Sequence, residues 1–420
     1  MEANRDAARL ARNGLIVLSL INLFNYLDRY VVPALFESLK QSPLHPTDGQ
    51  LGFLMSGFLI VYTVTAPIFG RSGDRGRRPR VLAFGVFLWS LATAAGGLAR
   101  SYLQLLLARA AVGVGEAAYG TVGPSLLADY FPRSSRGRAF AVFFIALPVG
   151  SALGFVVGGL VDHHWGWRMA FFMAGGPGLI LGLLAAKLWD APRGAHDPED
   201  PADTPGLRQT LGALLSNRSY VTTVLGYAAY TFALGGVAAW MASFLERVRG
   251  LPRTQATIQF GAVVVVTGLL GTAAGGWLGD RLLARSRRAY LWLSGVATLA
   301  AAPLFYLSLA APSPGTFWPA MIGAQLLMFA STGPINSHIV NVVRPEIRTM
   351  AVAVSVFSIH ALGDILSPVL VGAISDRSTL STAVLILPVA ALAGGAIWVW
   401  GATTEKTSSK DVEQIRRAKT

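Results

Sequence analysis

"LMSGFLIVYTVTAPIFGRSGDRGRRPRVLAFGVFLWSLATAAGG" runs from Leu54 to Gly97 and decides how the rest of the chain is read. Two apolar runs flank a loop that carries Arg71, Arg75, Arg77, Arg78 and Arg80. Each run has about 20 residues, enough for a helix to cross a hydrocarbon core of about 30 Å. So sharp a change from apolar to basic describes two membrane-spanning helices joined at the lipid–water interface.

The same alternation continues in both directions. Of 420 residues, 53% are hydrophobic and 14% charged, with a mean hydropathy of +0.51. A soluble chain is about a quarter charged. Twelve apolar runs are legible, at 13–39, 49–72, 79–99, 102–131, 138–162, 168–189, 219–245, 255–279, 289–310, 317–341, 350–375 and 380–402. They predict an all-α polytopic membrane protein with twelve transmembrane helices.

The net charge of +13 raises the question of nucleic acid, and its distribution answers it. The termini and the loops after even-numbered spans carry 25 of the 35 Lys and Arg, the opposite loops 7. Arg29, Arg109 and Lys187 fall within spans. This asymmetry follows the positive-inside rule, places both termini in the cytoplasm and leaves no nucleic-acid footprint. Some of the charge can also attract anionic membrane lipids. A polar, Arg-containing start leading into a charged first span is not the pattern of a cleavable signal peptide. Zero cysteines exclude disulfides, thiolate metal sites and Cys nucleophiles, and the six His are too scattered for a metal site. The sequon Asn217-Arg218-Ser219 falls on the cytoplasmic side, where it would not be glycosylated.

"DAPRGAHDPEDPADTPGLRQ" (Asp190 to Gln209) divides the spans into two sets of six. The predicted organisation is a six-helix bundle at 1–189, a cytoplasmic linker at 190–218, a second six-helix bundle at 219–402 and a cytoplasmic tail at 403–420. Within the linker, Leu207, Leu211, Leu214 and Leu215 share one face of a short helix suited to the membrane surface. The halves repeat each other. "GRSGDRGRRPR" is answered by "GWLGDRLLARSRR", both with G-x-x-x-D-R, at Gly70/Asp74/Arg75 and Gly276/Asp280/Arg281. Gly123-Pro124 is answered by Gly333-Pro334. Parallel six-helix repeats are a transporter architecture, with the substrate site between the halves near the midplane.

The loop "GRSGDRGRRPRVL" resembles the hallmark loop of the major facilitator superfamily. The string from Arg109, "RAAVGVGEAAYGTVGPSLLADYFPRSSRGRAFAVFFIALPVGSALGFVVGG", is more particular. With "NYLDRY" in span 1 and "HALGDILSPVLVGAISD" in span 11, it resembles the spinster family within that superfamily. The match covers most of spans 1–5 and 10–11 and is weak from about 190 to 260.

Charges inside spans are costly and mark function or fixed pairing. Span 1 carries Asp28 and Arg29, span 4 Arg109 and Glu116, span 11 Asp364. Arg109 and Glu116 are two helical turns apart and point to one side of span 4. Arg109 can therefore balance Asp28, Glu116 or both. One reading is a static buried ion pair that fixes packing. The other is a proton site, where burial favours the neutral acid and the guanidinium favours the charged one. The spinster resemblance implies proton coupling by Asp28, Arg109 and Glu116. Arg29 can instead face the cavity and attract an anionic headgroup.

Asn25, Tyr26 and Tyr119 are further cavity candidates, while the glycines around Glu116 read chiefly as a packing face. His360 and Asp364, four residues apart, form either a second proton relay or a polar seam. Asn336, with His338, is a weaker candidate in span 10. His163 and His164 lie at the outer surface with no chemical role expected. Asp74 can sit at the N-terminus of a helix from the other half, favoured by the macrodipole. Arg75 can reach Asp129. The superfamily resemblance implies that such a relay latches the cytoplasmic gate, with Asp280 and Arg281 as its counterparts; a plain topogenic role for the arginines competes with that.

"PVGSALGFVVGG" partly resembles the glycine motif of drug antiporters, but Phe155 stands where that motif has Pro, which puts an antiport assignment in doubt. No Walker loop, nucleophile elbow or zinc-protease motif supports ATP-driven pumping or an enzyme. The expectation is a secondary active transporter, monomeric, without cofactor, driven by a proton gradient, and in the inner membrane if bacterial. The resemblance implies an amphipathic lipid-like substrate such as sphingosine-1-phosphate, a related sphingolipid or a lysophospholipid. Its rivals are a transporter of small hydrophilic solutes or drugs, and a non-transporting receptor or scaffold.

Overall fold

The computed structural model describes residues 2–194, 206–283, 286, 288–344 and 347–404. Among these residues there is no strand, and helices account for almost the whole chain. The inner part of the expected linker (195–205) and most of the tail (405–420) lie outside the described residues, as does the side chain of Asp74.

Local sequence sets where each helix begins and ends. Helix α1 (Glu2–Ala34) crosses first, and α2 (Phe36–Gln41) is a single short turn of chain beyond it. A capping box starts α3 (Asp48–Arg75): Thr47 accepts from the Gln50 N–H and the Gln50 side chain accepts from the Thr47 N–H. Pro79 sits in the first turn of α4 (Arg78–Gly96), where a missing N–H costs nothing. Ser101 caps α5 (Tyr102–Tyr130). Gly166, with φ of 80°, separates α6 (Arg133–Trp165) from α7 (Trp167–Ala186) by a conformation that a side chain would resist.

The amphipathic segment forms α8 (Leu207–Ser216), with Thr210 and Leu214 buried and Leu207 and Leu215 exposed. Beyond it run α9 (Arg218–Arg247), α10 (Arg253–Leu283), α11 (Ala289–Ala310) and α12 (Pro314–Asn341). The eleventh expected span is α13 (Arg348–Ile359), a π-helical turn at His360–Asp364, and α14 (Leu366–Arg377). The chain closes with α15 (Leu380–Ala383) and α16 (Ile386–Thr404).

Among the described residues, eleven helical segments are long and apolar enough to cross a membrane. The expected span absent from that count is the tenth, α12, which has 28 residues and spans about 42 Å, but Gln325, Ser331, Thr332, Asn336, Ser337 and His338 dilute its hydropathy. Gln325, Ser331 and His338 are buried, so the polar face turns away from lipid.

The packing resolves into two compact units. The first comprises 1–201, 238–265 and 368–380. In it α6 lies directly on α1 along a seam of glycines. A Cβ on Gly150 would stand 2.5 Å from the Leu23 carbonyl, and one on Gly154 2.6 Å from that of Leu27. The antiporter-like glycine run is thus the surface that presses α1 inward at Asp28. Similarly, Gly113 faces the Phe58 carbonyl of α3 (2.6 Å to a built Cβ) and Gly115 that of Gly85 in α4 (2.5 Å). Small residues let α5 approach both neighbours closely on either side of Glu116. Gly154→Val should therefore force α1 and α6 apart and destabilise the protein by about 1–3 kcal/mol. An unchanged midpoint of thermal unfolding, followed by helical circular dichroism, would count against this account of the seam.

The second unit comprises 202–237, 266–367 and 381–420. Its core gathers Tyr220, Tyr230, Met328, Ile335 and Trp398. Tyr220 donates to the Ala351 carbonyl (2.7 Å), Tyr230 to that of Met328 (2.8 Å) and the Trp398 indole to that of Thr223 (3.0 Å). Each polar tip thus finds a partner when its ring is buried.

Candidate functional site

The charges of spans 1 and 4 meet in the first unit as two crossed pairs. Asp28 and Arg109 are each 1% exposed, and Arg109 Nη1 lies 3.7 Å from Asp28 Oδ1. Thr93 of α4 donates to Asp28 Oδ2 at 2.6 Å. Arg29 takes the other acid: its Nε donates to Glu116 Oε2 at 2.7 Å, with Glu116 fully buried and the Arg29 side chain 19% exposed. Neighbouring positions on a helix point about 100° apart. Asp28 and Arg29 therefore cannot face one partner, and each reaches a different turn of α5.

Aromatic rings complete the site. The Arg29 guanidinium carbon lies 5.1 Å from the ring centres of Phe58 and Tyr62 and 5.4 Å from that of Tyr26. Arg109 stands 4.9 Å from the same Phe58 ring, so Phe58 contacts both cations. Such faces attract a desolvated guanidinium without removing its charge. None of the three side-chain nitrogens of Arg109 makes a hydrogen bond, and Glu116 Oε1, Asp28 Oδ1 and the Asn25 amide nitrogen are likewise buried and unbonded. Leaving such groups buried without a bond is energetically costly, so the fold keeps them there against their desolvation penalty.

The other candidates fall in different places. Asn25 is 3% exposed and Tyr26 half-buried beside Arg29. Tyr119, expected to line the cavity, is instead 2% exposed, packs edge-on against Trp89 and donates to the Leu18 carbonyl at 3.0 Å. It ties α5 to α1.

In the second unit, His360 Nδ1 lies 2.9 and 3.0 Å from the two oxygens of Asp364, both within the π-helical turn. Thr231 of α9 donates to the Ile359 carbonyl, just before that turn, at 3.2 Å. A side chain on Gly363 would run into that Thr231 hydroxyl, which explains why the residue at the bulge is glycine. Asn336 turns to Tyr227 (3.1 Å) and to the Thr332 carbonyl (2.8 Å). His338, 2% exposed, lies 3.1 Å from the Ser219 hydroxyl.

At the end of the first unit near the chain start, the basic loop pairs differently from expectation. Asp129 takes Arg78, not Arg75. Arg78 is 2% exposed and also holds Asp190 (2.9 Å) and the Ala191 carbonyl. Arg193 donates to the carbonyls of Gly73 (2.7 Å) and Gly76 (2.6 Å), and the Gly194 N–H to Asp129 (3.1 Å). Arg75 is exposed, since it occupies the last turn of α3 on the side away from α5. Gly70 borders open space. In the repeat, Asp280 accepts from Tyr290 (2.8 Å) and Arg281 lies over Trp277 at 5.4 Å.

A family model described as Major Facilitator Superfamily matches residues 18–368. Protein spinster of Drosophila melanogaster is 33% identical over 86% of this chain, which spans 61% of that relative's length. The sphingosine-1-phosphate transporter SPNS2 of Mus musculus is 34% identical over 87% of this chain and 70% of its own. The chain belongs to the spinster family. A crystal structure of a bacterial homolog of the human lysosomal transporter Spinster superposes with a TM-score of 0.86, at 23% identity, covering 94% of this chain and 97% of the other. The fold is therefore that of major facilitator transporters. This spinster-family chain is an integral multi-pass membrane transporter and not an enzyme.

Sequence reading missed Phe58, Tyr62 and Thr93, which shape the site of this spinster-family member. Phe58 and Tyr62 are spaced i, i+4 on one face of span 2, a pattern as common in lipid-facing helices as in cavities. Thr93 carries no local signal, because its contact with Asp28 bridges 65 positions.

Proposed function

We propose that this spinster-family protein is a proton-coupled transporter of an anionic amphipathic lipid, working by alternating access of two six-helix halves. The observation that carries the reading is the Arg29–Glu116 pair, in which a partly exposed guanidinium among aromatic rings is neutralised by a fully buried acid. When Glu116 takes a proton, Arg29 loses its counter-charge and becomes available to a phosphate or other anionic headgroup. By linkage, a headgroup on Arg29 favours protonation of Glu116 by the same factor. Asp28 and Arg109 hold the adjacent turns of α1 and α5 in register, with Asp28 as a second proton acceptor. Within the second unit, His360, Asp364 and Asn336 are the polar residues to which this reading gives a substrate role.

The naming of a relative as a sphingosine-1-phosphate transporter supports a phosphorylated sphingoid substrate, and the aromatic surroundings of Arg29 suit a charged head next to an apolar tail. The arginine-rich loops support a cytoplasmic location for both termini. The test is uptake into liposomes of sphingosine-1-phosphate, sphingosine, lysophosphatidylcholine and a sugar, with and without a pH gradient. Gradient-stimulated uptake of the phosphorylated lipid in preference to sphingosine is expected. Equal uptake of sphingosine, or sugar uptake alone, overturns the substrate assignment.

A further inference from the structure

Away from the charged site, the second unit carries an apolar groove of about 400 Å³. Leu282 at the end of α10, Trp292, Leu293, Val296 and Ala300 of α11, and Leu327 of α12 line it. The groove follows from how the three helices pack. Glycines bring α10 close to α12: a Cβ on Gly271 would stand 2.7 Å from the Leu326 carbonyl, and one on Gly275 would strike that of Ala330. On the other side, α11 is held to α12 by the Thr298 and Ser331 hydroxyls, 3.1 Å apart. Both helices are drawn to α12, and a furrow remains between them. The Tyr290 bond to Asp280 (2.8 Å) closes it at the turn from α10 to α11.

Trp292, Val296 and Ala300 recur every four residues and form one row along α11, about 12 Å from end to end. All three are exposed, Trp292 by 40% and Val296 by 52%. Arg288, which precedes the first turn of α11, continues the same row toward the loop. Arg281, in the last turn of α10, is exposed beside the lining residue Leu282 and lies over the ring of Trp277, itself 63% exposed. Between Gly279 and Tyr290 the sequence sets four arginines (Arg281, Arg285, Arg287 and Arg288) against one acid, Asp280. Arg285 and Arg287 lie outside the described residues.

An exposed apolar row on a spanning helix is solvated by lipid chains, and cations at one end of a furrow select among those lipids by headgroup. Basic pockets between spanning helices on the cytoplasmic side favour anionic headgroups, and this turn lies on the side proposed above as cytoplasmic. Tryptophans suit the level at which head meets tail. The matching turn of the first unit is arranged otherwise: Arg78, at the start of α4, is buried and bonded to Asp129 and Asp190.

We propose that this groove binds an anionic glycerophospholipid of the surrounding bilayer, with its headgroup at Arg281 and Arg288 and one acyl chain along Trp292, Val296 and Ala300. The lipid is a bound component of the second unit, distinct from the transported substrate proposed at Arg29.

The chain contains no cysteine, so a single introduced cysteine can carry a bimane fluorophore. Leu278 lies one turn before Leu282, beside the groove but outside its lining. Trp400 of α16, 60% exposed, is the control, since both positions stand within about five residues of the end of their helix. The full-length protein is placed in phosphatidylethanolamine nanodiscs with phosphatidylglycerol or phosphatidylcholine brominated on its acyl chains. At position 278, brominated phosphatidylglycerol should quench at about a tenfold lower mole fraction than brominated phosphatidylcholine, and at position 400 the two should quench alike. Arg281→Gln combined with Arg288→Gln should abolish the difference. So should Ala300→Phe, which fills the groove and leaves both arginines in place. If the double variant fails to fold, Arg288→Gln and Ala300→Phe decide. Equal quenching by the two lipids at position 278, an equal preference at position 400, or a preference that survives in Ala300→Phe overturns the site. Relief of the quenching by sphingosine-1-phosphate but not by unbrominated phosphatidylglycerol would make the groove a substrate site, and overturns it too.

Discussion

Replacing Arg109 by leucine should destabilise the protein by about 3–5 kcal/mol, and adding Asp28→Asn should restore most of the loss. The leucine is similar in apolar bulk to the stem it replaces, so little packing is lost with the charge. Among the described residues, what is lost is the only guanidinium within 4 Å of Asp28, which is 1% exposed and keeps the Thr93 hydroxyl. An isolated carboxylate in such a place must either pay for its charge or take a proton. Neutralising it removes that cost. The measurement is a double-mutant cycle of unfolding midpoints in detergent, read as a coupling energy. Restoration identifies Asp28–Arg109 as a mutually dependent pair. Absence of restoration would show that Arg109 answers chiefly to another group, and the crossed-pair description would fail.

Glu116→Gln should reduce pH-gradient-driven uptake to the level of empty liposomes while leaving lipid exchange at equal pH measurable. The amide is nearly isosteric and can still accept the 2.7 Å bond from Arg29, so α1 and α5 stay in place. It cannot carry a proton, and it does not neutralise Arg29. Two effects follow from one substitution: the driving force is uncoupled, and headgroup binding at Arg29 loses its pH dependence because the counter-charge is absent at every pH. A variant that keeps full gradient-driven uptake would remove Glu116 from the coupling scheme. A variant that loses uptake and exchange together would make Glu116 a structural acid. Arg29→Lys supplies a further contrast, since a lysine keeps the charge but loses the planar fork that fits a phosphate.

Much of this was legible in the sequence, because hydrocarbon imposes a one-dimensional rule. Every spanning segment must be helical and about 20 residues long, so counting apolar runs yields the architecture without any knowledge of contacts. The repeated G-x-x-x-D-R loops added internal symmetry, and the arginine asymmetry set an expected orientation. The same rule made Asp28, Arg29, Arg109 and Glu116 stand out as charges needing partners. Even α12, whose polar residues dilute its hydropathy, was read as an apolar run at 317–341.

Partner choice was decided only by tertiary structure. Sequence offered Arg109 both acids, yet Arg29 takes Glu116, because adjacent residues on α1 diverge by about 100° and the glycine seam of α6 sets how α1 is turned. Asp129 chose Arg78 over Arg75 for a like reason: the first turn of α4 points at α5, whereas the last turn of α3 points to solvent. Tyr119 went to the core on the strength of one carbonyl 101 positions away. Asp48 accepts from Arg247, and its N–H donates to Asp376, across some 200 and 330 residues, and nothing local distinguishes these charges from ordinary loop charges. Hydropathy is a property of each residue and can be read along the chain; pairing depends on the rotation and depth of helices against one another, which exist only once the bundle has packed.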